Sequence, residues 1–413
     1  MDTQTNPVHP LATIFSDVIG HKGIERVLRT VRKHLGMDVA FISHFQGSQR
    51  LFEAVDADGA APIKAGMVMP LQEGYCLKVI EGHLPQLILD AGVHPVASQI
   101  PATASIPIGS HLSVPIELED GSIYGTLCCF SFVPDVTLGE RDLKMMKAFS
   151  EVIAERVDEL STESRLREMK ANNIRKAMHT DQPRMVYQPV FNLRTGALEG
   201  AESLSRFHGH PNPPPDEWFK SAHEAGVGTE LELHTVIKAA LALERLPHPT
   251  YLAVNSSPEL LISGKLLFSL AGVDLSRIVI EITEHAIVAD YEILAAALAP
   301  LREKGARVAI DDAGAGYASM RHILRLKPDI IKLDISLTRD IDSDSSRKAL
   351  ARGLISFARE IGAKITAEGV ETKAELDALK GLGADNVQGF YLSKPMPIED
   401  VLKSAGTFEG DRL

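Results

Sequence analysis

Seven short apolar runs in the second half of the chain end on, or carry near their ends, a carboxylate, an amide or an amine. They are AESLSR (Ala201–Arg206), YLAVN (Tyr251–Asn255), IVIEITE (Ile278–Glu284), VAIDD (Val308–Asp312), IIKLD (Ile330–Asp334), KITAEGVE (Lys364–Glu371) and NVQG (Asn386–Gly389). A β-branched run that stops at a charged side chain has the form of a buried parallel strand emerging at its C-terminal edge. Several such edges separated by helical segments predict a (β/α) barrel, and a barrel brings its edge residues together on one face. A ring of acids on that face suits divalent cations. Two ions roughly 3.5–4 Å apart clamp the attacking and leaving oxygens of an anionic ester, so the chemistry indicated is metal-assisted hydrolysis.

Each run has its own logic. Alternate strand residues share a face, so Glu202, Leu204 and Arg206 point one way. Arg206 is suited to forked contact with phosphate, and a salt bridge to Glu202 is the plainer alternative. Asn255 is a neutral oxygen donor of the kind that sits beside carboxylates around Mg²⁺ or Mn²⁺, or else a cap for the helix that follows. Glu281 is assigned to metal and Glu284 to holding the next loop. Asp311 and Asp312 are adjacent like charges at the end of an apolar strand, a pairing that calls for a cation. Lys332 and Asp334 share a strand face by alternation, and Lys332 could orient or deprotonate water. Glu368 precedes Gly369, and Glu371 follows three residues on. Gln388 could position phosphate or water, with a backbone hydrogen bond as its alternative. The histidines lack metal spacing on one strand edge, and no Gly-rich phosphate loop is present.

The chain has 413 residues and a formal net charge of −12. That charge argues against nonspecific binding to DNA or to anionic membranes. A phosphate-ester substrate then needs local cations, which bound metals, Arg206 and Lys332 would supply. No apolar run is long enough to span a bilayer, and the polar start, MDTQTNPVHP, lacks the regions of a secretory signal, so the expected location is cytoplasmic. The three cysteines, Cys76, Cys128 and Cys129, make no disulfide framework and lack zinc-site spacing.

The expected organisation is a disordered tail (1–12), a mixed α+β domain (13–159), a helical linker (160–180) and the α/β barrel (181–413). In the first half, strands fit 38–45, 49–57, 86–90, 110–119 and 123–132. A helix starting at Leu138 carries Leu143, Met146, Ile153, Val157 and Leu160 at three- and four-residue steps or their sum. That stripe serves either its own domain or a helical dimer seam.

The strings YQPVFNLRTGALEGAESLSRF, LAVNSSPELL, IVIEITE, IDDAGAGYASM, PDIIKLD, ITAEGVET and QGFYLSKP, in this order, resemble the EAL family of cyclic di-GMP phosphodiesterases. The resemblance implies a modified TIM barrel that hydrolyses cyclic di-GMP to linear pGpG with Mg²⁺ or Mn²⁺. By position it implies Glu202, Asn255, Glu281, Asp311, Asp312 and Glu368 as ligands to two ions, Lys332 as the residue acting on water, and Gln388 as support. It further implies Gln188, Arg206 and Asp334 on the substrate, with Glu284 and Glu371 anchoring loops. It also implies a homodimer. Two departures stand out: Ser203 within the naming triplet, and Ala313 where a phenylalanine usually follows the aspartates. The first half, through GYCLKVIEGHLPQLILDA and SVPIELEDGSIYGTLCCF, is similar to GAF sensory domains, which implies an unidentified small-molecule ligand. The reading is a GAF-regulated phosphodiesterase. The alternatives are a receptor that binds the nucleotide without turning it over, and a scaffold.

Overall fold

Along Leu127–Phe130, within the strand Ile123–Ser131, successive side chains alternate between two apolar cores, which is how a sheet buried on both faces is written in sequence. Leu127 and Cys129 belong to one core, Cys128 and Phe130 to the other. The computed structural model describes residues 22–208, 213–283, 288–313 and 318–403. Two compact units divide the chain, Met1–Leu166 and Arg167–Leu413. The expected 1–12 tail, Glu284, and Gly314 and Gly316 after the aspartates lie outside the described residues.

The first unit is a six-stranded antiparallel sheet built from β1 (Val39–Gln46), β2 (Gln49–Ala57), β3 (Val68–Pro70), β4 (Leu87–Ile88), β5 (Ser110–Glu117) and β6 (Ile123–Ser131), in the order β3-β2-β1-β6-β5-β4. On one face lie α1 (Lys22–Leu35), through Leu28, Val31 and Leu35, and the first part of a long helix, through Met146, Ile153 and Val157. On the other lies a short helix, α2 (Tyr75–Ile80), through Tyr75, Cys76 and Val79. The long helix, α3 (Glu140–His179), runs for 40 residues. Met146, Ile153 and Val157, with Leu143 packed beside them, lie in the core of their own unit, so those side chains are not a free dimer seam. Periodicity gives the face of a helix, not what covers it.

His111 of β5 is only 2 % exposed and its ring lies 4.4 Å from that of Tyr75. Burial, and then the Arg50 guanidinium, hold its pKa down to about 3. The unfolded chain therefore takes up a proton near the usual pH 6.5, and the folded chain does not. Stability is intact above that pH and falls on acidification by about 1.4 kcal/mol per pH unit until the folded pKa is reached. Urea titrations of the chain and of His111→Gln at pH 6.5 and 5 should differ in pH dependence by about 2 kcal/mol. Equal slopes would place His111 in a more polar setting.

The second unit is a closed barrel of eight strands: β7 (Arg184–Asn192), β8 (Leu198–Arg206), β9 (Tyr251–Asn255), β10 (Ile278–Ile282), β11 (Arg307–Ala313), β12 (Ile330–Leu333), β13 (Lys364–Ala367) and β14 (Asn386–Val387). Strand β7 is antiparallel to both its neighbours, β8 and β14, and the other pairs are parallel. The cause is local. Asn192 Oδ1 accepts the backbone N–H groups of Arg194 and Thr195, each at 3.1 Å, closing a tight turn too short for a parallel crossover. Among the helices between the later strands, α4 (Pro215–Glu224) packs through Ala222 in a separate cluster with Phe207 and Leu231, whereas α5 (Gly228–Ala240) and α6 (Tyr291–Glu303) help seal the barrel's outer face with one continuous core.

A second, smaller core of Val190, Tyr251, Ala253, Val279, Ala309 and Ile330 floors the interior. Gly200 belongs at this level: a Cβ there would stand 2.4 Å from the Tyr251 ring. Two residues further along the strands from this floor come Glu202, Asn255, Glu281, Asp311 and Lys332. The period of two that fills the floor also delivers the polar layer above it.

Candidate metal centre

Lys332 is the hub of that polar layer. Its Nζ lies 2.7 Å from Glu368 Oε1, 3.0 Å from Glu281 Oε2, 3.0 Å from Asp311 Oδ1 and 3.4 Å from Glu202 Oε2. The side chain is 3 % exposed. Burial alone would push its pKa down. The four carboxylates, Asp311, Glu202, Glu281 and Glu368, together hold it well above the ordinary lysine value. Among these carboxylates Lys332 is held as an ammonium, suited to orienting water or offsetting phosphate charge. Burial first, and then the crowding of like charges against the pull of Lys332, raise Glu281 and Glu368 well above the usual carboxylate range.

The acids fall into two sets. Oxygens of Glu202, Glu281 and Asp311 lie within 4.8 Å of one another, and so do those of Asp311, Asp312 and Glu368. Asp311 belongs to both. The Glu281 Oε2 atom is buried and accepts no hydrogen bond, though the ammonium lies 3.0 Å away. Clustered carboxylate oxygens with an unsatisfied acceptor among them suit hard divalent cations such as Mg²⁺, Mn²⁺ or Ca²⁺.

Adjacent residues on a strand normally face opposite ways, so Asp311 and Asp312 need a device to share one site. Ile310 pairs with Ile331 and Ala313 with Leu333, leaving both aspartates opposite Lys332 alone. This β-bulge places Asp312 at φ +55°, a left-handed conformation that aspartate tolerates better than most residues. The Asp312 N–H then donates to Asp311 Oδ1 at 3.0 Å. Beyond β13, Glu368 is fixed through its backbone, whose carbonyl accepts the Thr338 hydroxyl. Gly369, at φ +63°, has Ile335 where a Cβ would be, which accounts for the glycine after Glu368.

Gln388 joins two predicted residues. Its Nε2 donates to Glu202 Oε2 at 2.7 Å and to Gln188 Oε1 at 3.0 Å, and Gln188 Nε2 donates to the Ser393 carbonyl at 3.1 Å. It thus holds the Glu202 carboxylate toward Lys332. Gln388→Ala should lower turnover by about 10–100-fold, the usual effect of removing a ligand's supporting hydrogen bond. Steady-state rates at saturating metal would test this, and an unchanged rate would count against the role.

Other predicted residues lie elsewhere. Asn255 pairs in register with Glu281 but is exposed. With Arg206, Ser205, Ser257 and Thr283 it lines a cavity of about 800 Å³. Asp334 does not share a strand face with Lys332. Strand β12 stops at Leu333, and the Asp334 carboxylate caps the following helical turn by accepting the Ser336 N–H at 2.9 Å. Glu371 is exposed and pairs with Arg339 at 2.8 Å, outside the acid cluster. Ser203 turns away from Glu202 and donates to the Ala253 carbonyl at 2.8 Å. One unpredicted contributor is Glu232 of α5, buried and accepting the Ser257 N–H at 2.9 Å just beyond Asn255. Only its place on a helix face hinted at it.

The EAL domain model matches residues 171–395. The chain belongs to the EAL family. A GAF domain matches residues 21–157, so the order is GAF and then EAL. Among curated relatives, the cyclic di-GMP phosphodiesterase NbdA of Pseudomonas aeruginosa is 30% identical over 238 residues, 54% of this chain and 30% of its own length. From the same organism, the bifunctional diguanylate cyclase/cyclic di-GMP phosphodiesterase MucR is 30% identical over 247 residues, 56% of this chain and 36% of its own. The chain spans less than half the length of these curated relatives. The EAL barrel resembles the solved MucR phosphodiesterase in its cyclic di-GMP complex, with a TM-score of 0.51 and 27% identity over 56% of this chain and 99% of that one. No described helix of the EAL chain is long and apolar enough to cross a membrane.

Proposed function

We propose that this chain hydrolyses cyclic di-GMP to linear pGpG, with two divalent cations, Mg²⁺ or Mn²⁺, held by Glu202, Asn255, Glu281, Asp311, Asp312 and Glu368. The observation that carries the reading is Asp311, common to two carboxylate sets that meet at one buried ammonium. Cations bound there would supply Lewis-acid chemistry, neutralising the phosphodiester and acidifying the attacking water. The chain's own groups do the rest. Lys332 holds the water in line and offsets the charge building on phosphate. Gln388 and Gln188 fix Glu202. Arg206 takes a phosphate oxygen at the cavity mouth. Asp334 and Glu371 act on the substrate and the loops only through the segments they cap or pair.

In this reading the barrel occupies 181–413, the GAF domain 13–159, and a helical linker 160–180. The protein works as a cytoplasmic homodimer, and the GAF domain adjusts the rate in response to a small molecule. The test is hydrolysis of cyclic di-GMP by the full chain with Mg²⁺ or Mn²⁺. Formation of pGpG that stops with EDTA supports it. Tight nucleotide binding without product would replace the enzyme with a receptor, and no binding at all would leave a scaffold.

A further inference from the structure

We propose that Cys76 and Cys128, inside the GAF domain, form a dithiol that hydrogen peroxide converts to a disulfide. The two are distant in sequence, one on α2 and one on β6, and their Sγ atoms lie 3.8 Å apart. Closure to the roughly 2.05 Å of a disulfide needs under an ångström of movement from each sulfur. Both are fully buried and unbridged. Cys129, next in sequence, points to the opposite face, where its Sγ lies 3.9 Å from Met146 Sδ.

The surroundings are those of a reactive thiolate. Arg50 is 4 % exposed, and its Nη1 lies 3.4 Å from Cys76 Sγ. Its Nη2 faces Met69 Sδ at 3.9 Å and its Nε has no hydrogen-bond partner. Among the described residues no carboxylate pairs with it. The guanidinium lies over the Phe52 ring at 4.9 Å, and among its hydrogen-bond contacts the group able to become an anion is the Cys76 thiol. The Ser43 hydroxyl, 3.6 Å from Cys76 Sγ, adds a further donor. The hydrogen bond from Cys128, against burial and with help from Arg50, holds the Cys76 thiol well below its ordinary range. Burial, and then Cys76 itself, push Cys128 well above. One sulfur is thus set to attack and the other to remain protonated until it resolves the product.

The balance is simple. The Cys76 thiolate attacks the O–O bond of hydrogen peroxide, giving a sulfenic acid and hydroxide, and the hydroxide takes up the proton lost when Cys76 ionised. The Cys128 thiol then displaces the sulfenic OH as water, and the S–S bond forms. Two thiols are oxidised and one peroxide is reduced to two waters. Burial selects the oxidant. Both sulfurs are fully buried, and the cavity beside Arg50, bounded by Tyr75, His111 and Phe130, is only about 20 Å³ and is lined by neither cysteine, so an oxidant must be small enough to pass through the packed core. A bulky oxidant such as glutathione disulfide is excluded.

The test uses the full chain, reduced, treated with modest excesses of hydrogen peroxide or glutathione disulfide, alkylated in denaturant and mapped without reduction. Expected with peroxide are the loss of two hydrogens, a peptide joining Cys76 to Cys128, an alkylated Cys129, and reversal by dithiothreitol once the chain is unfolded in denaturant. Glutathione disulfide should do nothing. Cys128→Ser should retain a sulfenic acid on Cys76 that dimedone traps when added with the denaturant. Arg50→Met should oxidise about tenfold or more slowly, while Arg50→Lys keeps most of the rate. A cross-link involving Cys129, over-oxidation of Cys76 with Cys128 left free, or no reaction below the unfolding temperature would overturn the proposal. Folding of each variant is checked by a thermal melting curve.

Discussion

Asp311→Asn should abolish turnover of cyclic di-GMP almost completely while leaving the barrel folded. Asparagine keeps the shape and can still accept the Asp312 N–H that Asp311 Oδ1 accepts at 3.0 Å. What disappears is the one carboxylate charge common to both acid sets. A cation polarising a phosphoryl oxygen contributes several kcal/mol to the transition state. Weakening both positions at once should therefore cost about a thousandfold or more in kcat. The measurement is pGpG formation at saturating Mg²⁺ beside a thermal melt. A variant that turns over within tenfold of the parent, with the fold intact, would remove Asp311 from the reaction.

Lys332→Met should change stability in a way that depends on metal. In the parent, the ammonium separates Glu202, Glu281, Asp311 and Glu368. Removing one partner of a buried charge cluster costs about 3–5 kcal/mol. For a unit of this size, that is roughly 10 °C of melting temperature. Mg²⁺ can take over the separating role, so it should stabilise the variant considerably more than it stabilises the parent. Turnover should stay low, because the charge facing substrate and water is gone. Melts in EDTA and in Mg²⁺ for both proteins decide this. If Mg²⁺ shifts the two equally, the cluster is not where the cation binds.

Much of this barrel can be read in the sequence because its strands are written twice. An apolar run marks burial, and the polar residue that ends it marks the rim. Glu202, Glu281, Asp311 and Lys332 were legible on that basis, and the structure gathers them around one ammonium. What was not legible depends on register and on distant partners. Alternation puts Asp334 beside Lys332, but the strand ends one residue early because Asp334 caps a helical turn. The antiparallel entry of β7 is set by a side-chain-closed turn at Asn192. The link from Gln388 to Glu202 spans 186 residues and has no local signature. The stripe on α3 gave its face correctly but not its partner, which is the sheet of its own unit. Cys76 and Cys128, 52 positions apart, meet only because a strand and a helix cross the same core.

The bulge in β11 sets fold durability against chemistry. Its left-handed aspartate, at φ +55°, carries a conformational cost of about 1–2 kcal/mol that glycine would largely remove. Asp312→Gly should thus yield a tougher barrel and a poorer catalyst. Deleting Asp312 would go further, restoring an unbroken ladder between β11 and β12 at the expense of the second carboxylate. Lineages released from the need to hydrolyse would be expected to drift toward such sequences. The state of this one residue would then record whether a related chain still turns over its nucleotide or has become a listener.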